Sequence, residues 1–200
     1  MTSRTTLVRA TILVAALVWT ATIGAAFNAI RRFETTPGAA ALAGPNWPAG
    51  STVPRQRGEW SLVMLVHPHC SCSRASVQEL QAVIEKSPSV QPYVLVYRPG
   101  DFEKGWEQGA VLDAASRLRG AKVIIDENGR EAKRFGGFTS GQTLLYDRQG
   151  RLRFAGGITS LRGHSGVNRG RMDVIRIASS GAGTGDHPVF GCAIDKKGTK

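Results

Sequence analysis

The stretch Leu62-Val63-Met64-Leu65-Val66-His67-Pro68-His69-Cys70-Ser71-Cys72-Ser73-Arg74 decides how this chain is read. Its first five residues are apolar and predict a short buried strand. Beyond it, Val77, Leu80 and Ile84 fall on one helical face, so a helix opens at the cysteines and stops before Pro88. Cys70 and Cys72 therefore stand at a strand-to-helix junction. Free N–H groups and partial positive charge at a helix N-terminus favour an anion there. A thiol so placed falls from about 8.5 to about 3.5–7.5, and is then a nucleophile or a metal ligand at neutral pH. Inert structural cysteines are the alternative, for which a helix N-terminus is a poor place.

On either side of this junction, strand and helix patterns alternate. Residues 90–97 read as a second strand, closed by Arg98-Pro99-Gly100. A second helix is expected at 106–118, with Gly120 just past its end. A third strand follows at 122–125 and a helical turn at 130–135. Residues 142–146 and 151–155 flank Asp147-Arg148-Gln149-Gly150, a hairpin signal. The last amphipathic helix is expected at 169–179. This order predicts an α/β domain, a mixed central sheet flanked by helices, over residues 59–180. A Gly-rich basic tail at 181–200 completes the chain and carries His187 and Cys192.

A cysteine pair opening a helix after a strand, followed later by a hairpin and a helix, resembles the thioredoxin-like fold. The segments Val123-Ile124-Ile125-Asp126 and Thr143-Leu144-Leu145-Tyr146-Asp147-Arg148-Gln149-Gly150-Arg151-Leu152-Arg153 are similar to those of membrane-anchored bacterial thioredoxin-like proteins, most of all the RedB type. The resemblance implies a thiol–disulfide oxidoreductase with Cys70 as attacking thiol. It also implies a second thiol where this chain has Ser73, and a cis-proline where it has Gln142. A cis bond at a non-proline costs about 2.5–4 kcal/mol, so the loop at Gln142 and Thr143, which would meet the substrate, departs from the family.

The expected catalytic residues are Cys70 and Cys72, a Cys-x-Cys motif. A bridge between positions two apart is tight, because the Cα atoms must lie about 4.4–6.8 Å apart with a proper dihedral. Cys192 is the other candidate second thiol. His67 and His69 are candidate accessories that lower the thiol pKa or carry a proton. If the hairpin is antiparallel, the loop after it returns toward Cys70 and brings His164 with it. The rival function needs a metal: Cys70 and Cys72 with one of His69, His164, His187 or Cys192, His164 foremost, would suit Cu(I), a soft ion served by thiolates and imidazole. The redox reading needs no cofactor.

The N-terminal third reads differently. Residues 10–30 carry no charge, long enough to span the roughly 30 Å hydrocarbon core of a bilayer. A cleaved signal peptide usually has an apolar region of only about 7–15 residues, so an uncleaved anchor is expected. Arg4 and Arg9 on one side nearly balance Arg31 and Arg32 on the other, and charge leaves the orientation open. The chemistry favours the domain outside the cytoplasm, so a single-pass protein of a bacterial inner membrane, facing the periplasm, is expected. Residues 34–58 are Pro-, Gly- and Ala-rich without apolar period, and are expected as a flexible linker. Trp47 and Trp60 are expected as packing anchors. The net charge is +11, but no basic run interleaves with aromatics, so no nucleic-acid partner is expected. Basic residues suit anionic headgroups instead. The expected partners are client thiols or disulfides and a further redox protein. Three cysteines are too few for a disulfide-stapled scaffold.

Overall fold

Strand β1 (Trp60–Val66) is buried along its whole length, as its unbroken apolar run requires of a strand covered on both faces. On one side it pairs in parallel with β2 (Val90–Arg98), which pairs in parallel with β3 (Lys122–Glu127). On the other side β4 (Gln142–Tyr146) runs antiparallel to it, with Val63 opposite Leu144. The hairpin continues to β5 (Leu152–Gly157), antiparallel to β4, and β6 (Gly185–His187) closes the edge in parallel with β5. The strand order is β3-β2-β1-β4-β5-β6. This is the mixed sheet expected of a thioredoxin-like fold, with one strand more than anticipated. The computed structural model describes residues 2–195.

Successive residues of β1 point to opposite faces. Leu62, Met64 and Val66 meet Val77, Leu80 and Val83 of α2 (Ser71–Lys86), together with α3 (Ala110–Ser116) and α5 (Arg169–Ser180). Val63 and Leu65 meet Tyr93, Leu95, Leu144 and Tyr146 on the opposite face, beside the short α4 (Arg130–Arg134). Each fully buried Val or Leu contributes about 1.5–3 kcal/mol. The second helix is shorter than the expected 106–118. Gly105 and Gly109 both adopt positive φ, which breaks the pattern ahead of Ala110.

Two expectations need correction. Residues 37–58 do not form a free linker; they lie against the domain and cover the face that α4 is too short to cover. Trp47 inserts edge-on between Tyr93, Phe135 and Tyr146, with ring centroids 6.1, 4.9 and 5.1 Å away. Its backbone N–H donates to Gly150 O at 2.7 Å, and Ser51 and Thr52 bind the Glu131 carboxylate. Val53 is buried. Likewise the domain does not end at 180. β6 lies beyond that point, and Val189 and Ile194 are buried.

The chain divides at Thr36/Pro37 into two units. The first is one helix, α1 (Thr2–Thr35), long and apolar enough to cross a membrane. The hydroxyls of Thr11, Thr20 and Thr22 donate to carbonyls four residues earlier, so these polar groups are satisfied within the helix.

Candidate active site

After β1 the chain turns at His67-Pro68-His69, with Cys70 N–H donating to His67 O at 3.1 Å. Cys70 is the N-cap of α2 in extended conformation, and its carbonyl accepts from Ser73 N–H at 3.0 Å. Its own side chain makes no capping bond, which leaves the sulfur over the positive end of the helix. Ser73 is buried. Its hydroxyl donates to His67 O at 2.8 Å and meets Ser140 Oγ at 2.6 Å, and Ser140 Oγ accepts from His67 N–H. The position that the resemblance gives to a second thiol therefore pins helix, strand and loop together.

The second thiol arrives from 122 positions away: Cys192 Sγ lies 2.8 Å from Cys70 Sγ. A short antiparallel pairing delivers it. Ser140 N–H donates to Cys192 O and Ile194 N–H to Phe138 O, both at 2.8 Å, and Thr139 bridges Ala193. Gly191 sits so close to the Ser140 carbonyl that a Cβ there would collide with it. Arg162, on the loop after β5, donates to the Gly191 carbonyl. With Cys72 added, the three sulfurs all lie within 4.8 Å of one another. Cys70 and Cys72 are each 4 % exposed, whereas Cys192 is exposed.

These contacts set the electrostatics. Cys70 falls to about 4, chiefly through the hydrogen bond from Cys192; burial opposes this, and the N–H groups of Cys192, Ser73 and Cys72 reinforce it. Cys192 is pushed far up, because it keeps the shared proton and because burial and the two neighbouring thiolates oppose its charge. Burial, and then the charge of Cys70, raise Cys72. The positive charge of Arg162 partly offsets the rise at both.

His67 stacks on Tyr97 and meets Trp106 edge-on. His69 donates from Nε2 to Trp106 O at 2.7 Å. Both belong to an aromatic group beside the site, and the three-sulfur cluster includes no histidine among the described residues. The loop after β5 does return to the site, but it brings Arg162. His164 is exposed, with Nδ1 on the Arg162 carbonyl. His187 pairs with Asp173 at 2.8 Å and stacks on Phe154 at the sheet edge. Gln142 and Thr143 are fully buried, and the described peptide bonds are all trans. Thr143 Oγ1 donates to Gly141 O, whereas the Gln142 carboxamide has no hydrogen-bond partner within the described residues. Ser140 and Arg162 escaped the sequence reading; the Ser-Gly pair just ahead of the hairpin strand was the only cue to the first.

Comparison with known proteins gives a likeness of fold. An uncharacterised conserved protein from Geobacillus kaustophilus superposes with a TM-score of 0.59 at 14% identity, over 83% of this chain and 95% of its own. A hypothetical protein from Sinorhizobium meliloti 1021 does so with a TM-score of 0.58 at 18% identity, over 80% and 93%. A secreted Mycobacterium tuberculosis disulfide oxidoreductase homologous to E. coli DsbE gives 0.42 at 12% identity, over 62% and 83%. No family model matches the sequence, and no curated protein does. The strand order and pairing directions are those of a thioredoxin-like fold, with three thiols gathered at the start of its first sheet-packed helix.

Proposed function

We propose that this protein is a RedB-type, membrane-anchored thiol–disulfide oxidoreductase of the bacterial inner membrane. In this reading α1 spans the bilayer, the domain faces the periplasm, and the chain donates disulfides to client thiols. The observation that carries it is the 2.8 Å approach of the Cys70 and Cys192 sulfurs at the N-terminus of α2. A dithiol whose thiolate is strongly stabilised in the reduced state makes an oxidising disulfide. Oxidation of a client then moves two electrons to the Cys70–Cys192 pair. A client dithiol becomes a disulfide, the pair becomes one thiolate and one thiol, and the remaining proton goes to solvent. A second redox partner restores the bond. Cys72 is the thiol in reserve, close enough to rescue a stalled mixed disulfide.

The test uses the oxidised full-length protein in detergent micelles with a dithiol peptide. Two peptide thiols should disappear per protein, and Cys70→Ser and Cys192→Ser should each abolish this. Undiminished oxidation by either variant would overturn the proposal.

One observation favours a second reading, a Cu(I)-binding protein. Thiolates bound to one ion at about 2.3 Å lie no more than about 4.6 Å apart, close to the spread of the three sulfurs here. Of the expected third ligands it is Cys192, rather than His164, that stands beside the other two thiols. Elemental analysis after anaerobic purification separates the two: stoichiometric copper, lost on mutating any of the three cysteines, favours the metal.

A further inference from the structure

Which sulfur the client meets is a separate matter from whether a disulfide is exchanged. The thioredoxin resemblance assigns that role to the first cysteine, here Cys70. Two independent features of this chain oppose the assignment. Cys70 is buried beneath the 191–194 segment, which pairs with residues 138–140, is held by Arg162 at Gly191, and lets no side chain intervene at Gly191. Cys192, on that segment, is the more exposed of the two.

We infer that Cys192 is the client-facing sulfur: an incoming thiolate attacks Cys192 Sγ of the Cys70–Cys192 disulfide and expels Cys70. The inference rests on the oxidoreductase reading above and names the catalytic residue within it. In the first step a client S–Cys192 S bond forms and the Cys192–Cys70 bond breaks. The electron pair leaves with Cys70 as thiolate, which needs no proton. In the second step the client's other thiolate attacks the client sulfur of the mixed disulfide. The client disulfide forms, and Cys192 departs and takes up one of the two protons released by the client. Cys192 then returns to its hydrogen bond with Cys70.

The leaving groups point the same way as access. In thiol–disulfide exchange the thiol of lower pKa leaves faster, and the accessible sulfur is the one attacked. Cys70 leaves onto the N-terminus of α2, where the Ser73 and Cys72 N–H groups stabilise its thiolate even after Cys192 has bonded to the client. Arg162, whose charge favours the Cys192 thiolate, assists the second departure. In this scheme Cys70 stores charge and Cys192 makes contact.

The experiment exposes the oxidised full-length protein to glutathione and quenches in acid within the first turnover. Peptide mass mapping then locates the glutathione adduct. The adduct is expected on the peptide bearing Cys192, at least about tenfold over that bearing Cys70 and Cys72. A second run on Cys72→Ser removes one route by which the adduct migrates after it forms, and the same location is expected. An adduct mainly on Cys70 would overturn the inference and leave the oxidoreductase reading intact. No adduct and no thiol consumption at either position would remove both.

Discussion

Lowering Cys70 to about 4 keeps its thiolate charged across the neutral range inside a buried site. An acid that is stronger in the folded than in the unfolded chain stabilises the fold once it ionises. For the reduced protein this stabilisation is fully present above the ordinary thiol value, shrinks as the pH falls, and is gone below about 4. Urea unfolding of the reduced protein against reduced Cys70→Ser should therefore show a gap that widens from pH 4 to pH 9. A constant gap would mean an ordinary thiol. The opposite kind of residue is Gln142, whose buried carboxamide has no hydrogen-bond partner within the described residues. An unsatisfied buried polar group costs about 1–3 kcal/mol, so Gln142→Met should raise stability by about that much in a urea titration.

Among the elements, the strap at 37–58 contributes a core aromatic without forming helix or strand. Trp47 is only half-buried, yet it bridges three aromatic rings on the face that α4 leaves open. Trp47→Ala should cost about 3 kcal/mol in thermal or urea unfolding, and a loss under about 0.5 kcal/mol would show the strap to be dispensable. The strap also shows what could be read in advance. Trp47 was legible as an anchor, but Pro, Gly and Ala around it give no period, and only the finished sheet shows the surface it fits. The strand, the cysteines and α2 were legible because their signals are local: an apolar run, a junction, a 3.6-residue repeat. The 191–194 segment was not, because its pairing with 138–140 joins residues more than 50 positions apart and its glycine mimics a loop. Arg162 was hidden for the same reason, since the return of its loop was foreseen and the side chain that arrives was not.

For the molecule as a whole, the choice of second thiol decides how far oxidation reaches. A Cys70–Cys192 bond closes a loop spanning 122 positions, with every element from α2 to β6 inside it. Loop-closure entropy gives such a bond about 4–5 kcal/mol of stability. The oxidised protein should then melt on the order of 10 °C above the reduced one in scanning calorimetry. A bond between Cys70 and Cys72 closes almost no loop and should leave the melting temperature nearly unchanged. The benefit is also reciprocal: what the bond gives to folding, folding gives to the bond. Two sulfurs so far apart in sequence meet rarely in a loose chain and constantly in the native one, where their effective concentration is high. Being charged with a disulfide is then a certificate of nativeness. Copies that fail to fold would bring Cys70 and Cys192 together rarely and so would seldom acquire the long-range bond.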